Sequence, residues 1–261
     1  MVSRRAVVTG ASSGIGRASV VALIETGWQV TGVARRADRL EQLAAETGAD
    51  VFAADLTKQQ DVDALVEHVG VVNALVNIAG GAIGADPVER ANAEDWAVMF
   101  DMNVLTALRL TKALLPALRR GVTDGAGHAD LLFVTSTAAQ LAYPGGGGYN
   151  AAKAAEAMLA HALRLELNGE PIRVTEVAPG MVKTDEFTLN RLAGDTAAAD
   201  AVYADVDHPL TDVDVADVIA YALGAPGHVN LDLITMRPVA QSAQHLLHRG
   251  PLAVKPPKEN E

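Results

Sequence analysis

The sequence predicts a doubly wound α/β fold, one parallel sheet between two helical layers, on three observations. Short β-rich runs alternate with longer helical ones along the whole chain, the pattern of repeated βαβ units. Runs such as Val7-Val8 and Leu131-Leu132-Phe133-Val134 are continuously apolar, as in strands buried on both faces. The first of them ends in a glycine-rich turn, Gly10 to Gly16, that opens a helix. No Pro/Ser linker and no internal repeat interrupts the pattern. A single domain over 1–244 is therefore expected, followed by a polar, Pro-rich tail over 245–261 that reads as an arm or frayed end.

Each element follows in order. Arg4 to Thr9 is the first strand and Gly14 to Thr26 the first helix. Trp28 to Ala34 is a strand, Asp38 to Thr47 a helix, Asp50 to Ala54 a strand, Lys58 to Val69 a helix and Val71 to Asn77 a strand. Ala93 to Arg120 is mostly helix, with Pro116 near its end; Asp130 to Ser136 is a strand and Tyr149 to Asn168 a long helix. Ile172 to Val177 is a strand, Asp212 to Leu223 a helix whose start Asp212 and Asp214 signal, and Leu231 to Met236 the last strand. Two stretches depart from the pattern. Gly121 to Gly127 is a turn cluster, and Gly145 to Gly148 is four glycines in a row. Four glycines are entropically costly to order, which leaves either a backbone making room for a neighbour or a flexible loop.

Composition narrows the function. The chain has 261 residues, no cysteine and a formal charge of −11. Its length is ample for a core, and the absence of cysteine excludes disulfide scaffolds, Cys-ligated metals and thiol nucleophiles. The acidic balance argues against nucleic acid as a partner. No apolar run reaches the ~18 residues of a membrane span, and the segment before Gly10 is too short for a signal peptide, so a cytoplasmic globular protein is expected. Between Asp185 and Asp217 nine acids face one base, Arg191. That segment is either a solvated helical face or an acidic lid; a lid near 185–210 is expected. His245 and His248 lack a third ligand, so no metal is expected.

The glycine turn reads Thr9-Gly10-Ala11-Ser12-Ser13-Gly14-Ile15-Gly16. Glycines at a strand-to-helix turn let backbone approach a pyrophosphate, and the helix N-terminus presents free N–H groups to it. The second strand ends Val33-Ala34-Arg35-Arg36. Such a tip meets the adenosine ribose, where a carboxylate selects NAD and an arginine accepts a 2′-phosphate. Two arginines with no carboxylate opposing them predict NADP(H). Asp55, ending the third strand before Leu56, is read either as an acceptor for an adenine amino group or as a helix cap.

Tyr149 and Lys153 are spaced i, i+4, so they share a helix face. A nearby ammonium favours the phenolate, which would let Tyr149 exchange protons near neutrality. Ser136 lies at the tip of the Leu-Leu-Phe-Val strand, 13 residues before Tyr149, where ligands bind in open α/β sheets.

With these pieces in order the chain resembles the short-chain dehydrogenase/reductase family over roughly Ala6 to Gln241. The matching motifs are Thr9 to Gly16, Asp55, Asn77-Ile78-Ala79-Gly80, Asn103 in Met102-Asn103-Val104, Ser136, the Tyr149/Lys153 pair, and Pro179-Gly180-Met181-Val182-Lys183-Thr184. The resemblance implies a Rossmann-type fold and a catalytic tetrad of Asn103, Ser136, Tyr149 and Lys153, with Asn103 positioning a water that links Lys153 to solvent. It implies that Gly10, Ser12, Ser13, Gly14, Ile15, Gly16, Arg35, Arg36, Asp55, Leu56, Asn77, Ala79, Gly80, Tyr149 and Lys153 bind the cofactor. Pro179, Gly180, Val182 and Thr184 would hold its nicotinamide end, and Ser136 and Tyr149 would meet substrate. Ile78 departs from the family's second asparagine, which removes a side-chain contact. Glu176 to Phe187, His228-Val229-Asn230 and Arg237 to Gln241 resemble the subgroup of serine 3-dehydrogenases and 3-hydroxy acid dehydrogenases. The expectation is an NADP(H)-dependent, homotetrameric oxidoreductase acting on a small hydroxy acid or polar alcohol. The alternatives are a nucleotide-binding redox sensor and a relative acting on a sugar or steroid.

Overall fold

The computed structural model describes residues 4–254; residues 1–3 and 255–261, the start of the N-terminal segment and the end of the expected tail, lie outside the described residues. Seven strands form the main sheet: β1 (Arg5–Thr9), β2 (Gln29–Ala34), β3 (Asp50–Ala53), β4 (Ala74–Asn77), β5 (Ala129–Val134), β6 (Ile172–Pro179) and β7 (Leu233–Met236). Their order is β3-β2-β1-β4-β5-β6-β7, with every neighbouring pair parallel. β5 is buried at all its positions, which is why it reads as an unbroken apolar run.

The helices are α1 (Gly14–Glu25), α2 (Ala37–Thr47), α3 (Gln59–Val69), α4 (Ala93–Phe100), α5 (Thr106–Gly121), α6 (Gly147–Glu166), α7 (Phe187–Arg191), α8 (Thr196–Tyr203) and α9 (Asp212–Gly224). Adjacent strand residues face opposite layers, as the two-residue period requires. Val8, Val76 and Leu132 pack with Leu23, Leu40, Leu43 and Ile219 of α1, α2 and α9. Val7, Leu75 and Leu131 pack with Leu65, Leu110, Leu114 and Leu163 of α3, α5 and α6. Each such side chain, fully buried, contributes roughly 1.5–3 kcal/mol. A capping box between Thr211 and Asp214 starts α9, where the two acids signalled it.

Three local features go beyond the sequence reading. The expected helix over 93–120 is α4 and α5 joined by a π-helical turn, Asp101–Leu105. The four glycines are packing requirements. A Cβ would lie 2.5 Å from the Ala85 carbonyl oxygen at Gly145, 2.6 Å from the Tyr143 ring at Gly146, 2.9 Å from the Trp96 ring at Gly147 and 2.3 Å from Met99 at Gly148. The chain can therefore start α6 two residues before Tyr149. The described part of the tail folds back: β8 (Gln241–Ala243) pairs antiparallel with β9 (Leu246–Leu247), and the Gly250 N–H donates to the Asp205 carbonyl at 2.7 Å. Among the described residues no helix is long and apolar enough to cross a membrane.

Strand order reverses between β1 and β4, which opens a crevice at their C-terminal ends. Thr9 pins its two sides together. Its hydroxyl accepts from the N–H groups of Ile78 at 2.8 Å and Ala79 at 2.9 Å, and donates to the Val76 carbonyl.

Candidate active site

The tips of β4, β5 and β6 and the first turns of α6 surround one buried point. Tyr149 is 8% exposed, Lys153 4%, Ser136 8% and Asn103 0%. The π-helical turn carries Asn103, whose amide is held by the Gly81 N–H at 3.2 Å, the Gly81 carbonyl at 2.9 Å and the Met99 carbonyl at 2.7 Å. Gly80 is the hinge of the convergence. A Cβ there would lie 2.4 Å from Asn103 Oδ1 and 3.6 Å from Lys153 Nζ. Ser136 stands just past β5 in extended backbone, its hydroxyl accepting from the Ala138 N–H.

Burial raises the Tyr149 pKa more than Lys153 and a hydrogen bond from Ser136 lower it. This corrects the sequence expectation. The i, i+4 ammonium acts in the expected direction, but desolvation of the phenolate outweighs it. Glu156, on the same helix, adds a smaller push in the same direction. Lys153 Nζ donates to Glu156 Oε2 at 2.7 Å and to the Val134 carbonyl at 3.0 Å. Burial is the largest single influence on Lys153 and disfavours its charge, but the charge and hydrogen bond of Glu156 together with the charges of Tyr149 and Glu176 outweigh it, and the Lys153 pKa rises.

The crevice has the shape of a phosphate cradle. Gly10 takes a φ of +69°, and a Cβ there would lie 3.3 Å from the Ala79 nitrogen. At Gly16 a Cβ would meet the Gly10 carbonyl oxygen at 2.2 Å. Ser13 caps α1 without a side-chain hydrogen bond, so first-turn N–H groups face the crevice. Asn77 is buried with both amide atoms unpartnered among the described residues, a cost unless a ligand meets them. The residues thus fit a dinucleotide. Ile78 has its N–H engaged by Thr9 and its side chain against the core. Asp55 accepts from the Thr57 N–H and hydroxyl, a turn ahead of α3, with Leu56 buried beside it.

Arg35 is exposed. Arg36 donates to Ser12 Oγ at 2.9 Å and Ser13 Oγ at 2.9 Å, and also pairs with Glu186 at 2.9 Å. The expectation that no carboxylate opposes these arginines is therefore corrected for Arg36: Glu186, 150 residues away in sequence, reaches it and Arg39. The Arg36 hydrogen bond holds the Glu186 carboxyl below the usual range.

The stretch expected to form a lid holds α7 and α8. Thr184 packs over Gly14, and Gly180 donates to the Met236 carbonyl at 2.7 Å. Pro179 ends β6 with Val182 bridged to Leu210. Phe187 meets Tyr149 edge-on at 5.7 Å. Arg191, the lone base of the acidic stretch, turns inward. It donates to the Gly84 carbonyl at 3.0 Å, the Tyr143 hydroxyl at 2.8 Å and the Gly145 carbonyl at 3.0 Å. Its guanidinium stands 5.8 Å from the Tyr149 ring centre. Asp185, Asp195, Asp200 and Asp205 are exposed, and so is Lys183. Glu156, Glu186 and Arg191 were not singled out as site residues from sequence. Only the i, i+3 spacing of Lys153 and Glu156 was available as a signal there.

Comparison with known proteins bears on this geometry. The family model described as short chain dehydrogenase matches residues 4–192. An uncharacterised oxidoreductase of Mycobacterium tuberculosis is 49% identical over 240 residues, which are 92% of this chain and 93% of that one. Serine 3-dehydrogenase of Agrobacterium fabrum is 36% identical over 244 residues, covering 90% of this chain and 94% of the relative. The solved closed form of serine dehydrogenase complexed with NADP+ matches with a TM-score of 0.86 and 32% identity, covering 94% of this chain and 99% of that one.

Proposed function

Since the chain belongs to the short-chain dehydrogenase family, we propose that it interconverts a small hydroxy acid and the corresponding carbonyl compound, with NADP(H) as cofactor and Tyr149 as acid and base. The observation that carries this reading is the convergence of Asn103, Ser136, Tyr149 and Lys153 on one buried point beside the crevice. NADP(H), when bound, supplies or accepts the hydride. Ser136 hydrogen-bonds the substrate oxygen, and Tyr149 takes or gives its proton. Lys153 holds the nicotinamide ribose, and Asn103 positions a water between Lys153 and solvent. Gly10, Ser12, Ser13, Gly14, Ile15 and Gly16 cradle the pyrophosphate. Arg35 and Arg36 take the 2′-phosphate, Asp55 and Leu56 the adenine, and Asn77, Ala79 and Gly80 the adjoining ribose. Pro179, Gly180, Val182 and Thr184 hold the nicotinamide end.

Arg191 supports the choice of an acid. Its three hydrogen bonds go to neutral oxygens, so its charge is available to a substrate carboxylate whose hydroxyl lies at Tyr149. Serine, the substrate named for the relative from Agrobacterium fabrum, is itself a 3-hydroxy acid. The proposed catalytic domain is 1–244 with its lid near 185–210, followed by the polar tail over 245–261, whose described part folds back on it. Assembly as a homotetramer is supported by the exposed Leu108 of α5 and the exposed Met158 and Leu165 of α6, and a cytoplasmic location is part of the same proposal.

The test is a panel of hydroxy acids, neutral alcohols and their carbonyl partners, followed by nicotinamide absorbance with NADP(H) and NAD(H). Turnover of a 3-hydroxy acid with NADP+ above NAD+ is the expected result. Turnover of neutral sterols or sugars alone refutes the substrate class, and equal use of NAD+ refutes the role of Arg35 and Arg36. Light scattering checks the tetramer, which a monomeric mass refutes.

A further inference from the structure

Glu156 is 1% exposed and lies within the first-turn reach of the reacting groups, yet none of the chemistry proposed above uses it. Burying a carboxylate costs several kcal/mol, and a neutral side chain of similar size would fill the same place. What distinguishes the carboxylate is its partner. Its Oε2 lies 2.7 Å from Lys153 Nζ, the cation whose charge acts on Tyr149. An isolated ammonium lowers a neighbouring tyrosine's pKa by charge. An ammonium paired this tightly presents something closer to a dipole, whose effect at the phenol is smaller.

The other groups around this pair are identifiable. From β6, Glu176 is 2% exposed, tied to the Thr135 hydroxyl at 2.6 Å and His161 Nε2 at 3.2 Å. Its charge adds to that of Glu156. Tyr143, from the loop before α6, and Ser136, from the end of β5, face Tyr149 directly. Arg191, from the lid, is the opposing cation. Asn103 is neutral. Among these, burial raises the Tyr149 pKa most, Lys153 lowers it, Tyr143 raises it, the Ser136 hydrogen bond lowers it, and Glu156 adds a smaller rise. Burial also pushes Glu156 up to about 7, so it is ionised at the alkaline pH where Tyr149 titrates.

We infer that Glu156 is a positioning residue that fixes Lys153 and offsets part of its charge at Tyr149, which favours the protonated phenol and with it carbonyl reduction. This inference rests on the proposed role of Tyr149 as acid and base. In that direction the carbonyl carbon gains the hydride, the carbonyl oxygen takes the Tyr149 proton, and the resulting phenolate is reprotonated from solvent.

The experiment compares wild type, Glu156→Gln and Glu156→Asp, with unfolding curves as a check on the fold. Two readouts are used: kcat against pH in both directions, and tyrosinate absorbance of the cofactor-free protein against pH with the Tyr149→Phe signal subtracted. Glu156→Gln is expected to move the Tyr149 ionisation, and the alkaline limb of reduction, down by up to about one pH unit. Oxidation then gains on reduction at neutral pH. Glu156→Asp, which keeps the charge but withdraws it by one methylene, is expected to move both by less; if Glu156→Gln does not fold, this variant carries the test. Unshifted ionisation and pH profiles in a folded variant overturn the inference. If that happens while Tyr149→Phe is inactive, only the role of Glu156 fails. If Tyr149→Phe retains turnover, the proposed chemistry itself fails.

Discussion

The floor of the site and its lid are built by different means. Tyr149, Lys153, Ser136 and Asn103 are each less than 9% exposed, on elements packed into the sheet, and most of their polar atoms have buried partners. The stretch over 185–210, proposed as the lid, is attached by side-chain polar contacts, Glu186 to Arg36, Arg191 to the Gly84 and Gly145 carbonyls and Tyr203 to the Val182 carbonyl, and by a few backbone hydrogen bonds such as that from Gly84 to the Arg191 carbonyl. Among the described residues the non-glycine positions with positive φ, Ala193, Asp205 and His208, all fall in the lid, where such backbone is strained. A floor held this tightly can fix proton-transfer geometry. A lid held by exchangeable contacts can trade them for ligand groups, which suits selection and closure.

The largest expected effect separates the two regions most sharply. Tyr149→Phe removes one buried oxygen from the floor and should lower kcat by ~10²–10⁴-fold with cofactor affinity and unfolding midpoint nearly unchanged. Steady-state kinetics and cofactor titration check it. A lid substitution with the same signature, kcat lost and all binding kept, would break the comparison.

Glycine substitutions test the difference in packing. Gly16→Ala puts a methyl 2.2 Å from the Gly10 carbonyl oxygen, so backbone must shift at the cradle. A loss of ~1–3 kcal/mol in denaturant unfolding is expected, together with weakened cofactor binding. In the lid, Gly194 has a φ of +86° and open space around its missing Cβ. Gly194→Ala should cost about 1 kcal/mol from backbone strain alone and leave cofactor affinity intact. Equal losses at the two sites would refute the contrast.

The same contrast governs what was readable from sequence. The parallel sheet follows from local signals, apolar runs alternating with helical ones. The i, i+4 spacing puts Tyr149 and Lys153 on one face of α6, whereas Asn103 rests on the family resemblance. The π-helical turn that holds Asn103 reads in sequence as part of one continuous helix, because five residues are too short a stretch to show a change of period. The pairings of Arg36 with Glu186 and of Arg191 with the loops before α4 and α6 are tertiary. Nothing near Arg36 announces an acid 150 residues on. Gly147 and Gly148 could be read as flexible because Trp96 and Met99, which require them to be small, lie some fifty residues upstream.

Glu186 gives a smaller effect that sharpens the comparison on the lid side. Its carboxylate engages the guanidinium proposed to take the 2′-phosphate, so it competes with that phosphate for the same donors. Glu186→Gln is expected to tighten NADP(H) binding several-fold while leaving NAD(H) binding unchanged, read by titration with each cofactor. Weakened binding of both would mean that the pair holds the cleft in shape rather than competing for the phosphate.

The smallest expected effect concerns the acids that give the lid its charge. Asp195 caps α8 by accepting from the Ala198 N–H at 3.0 Å and is exposed. Asparagine caps a helix about as well as aspartate, so Asp195→Asn removes the charge and keeps the helix. An exposed charge is screened by water and salt within ~8–10 Å, and should not be felt at Tyr149. The KM for a hydroxy acid and for a neutral alcohol should therefore each change by less than about two-fold, in the same ratio. Arg191→Met, one turn away but facing inward, should raise KM for the acid alone. A charge-dependent KM change at Asp195 would place the lid's acids at the substrate and overturn their assignment to solvent.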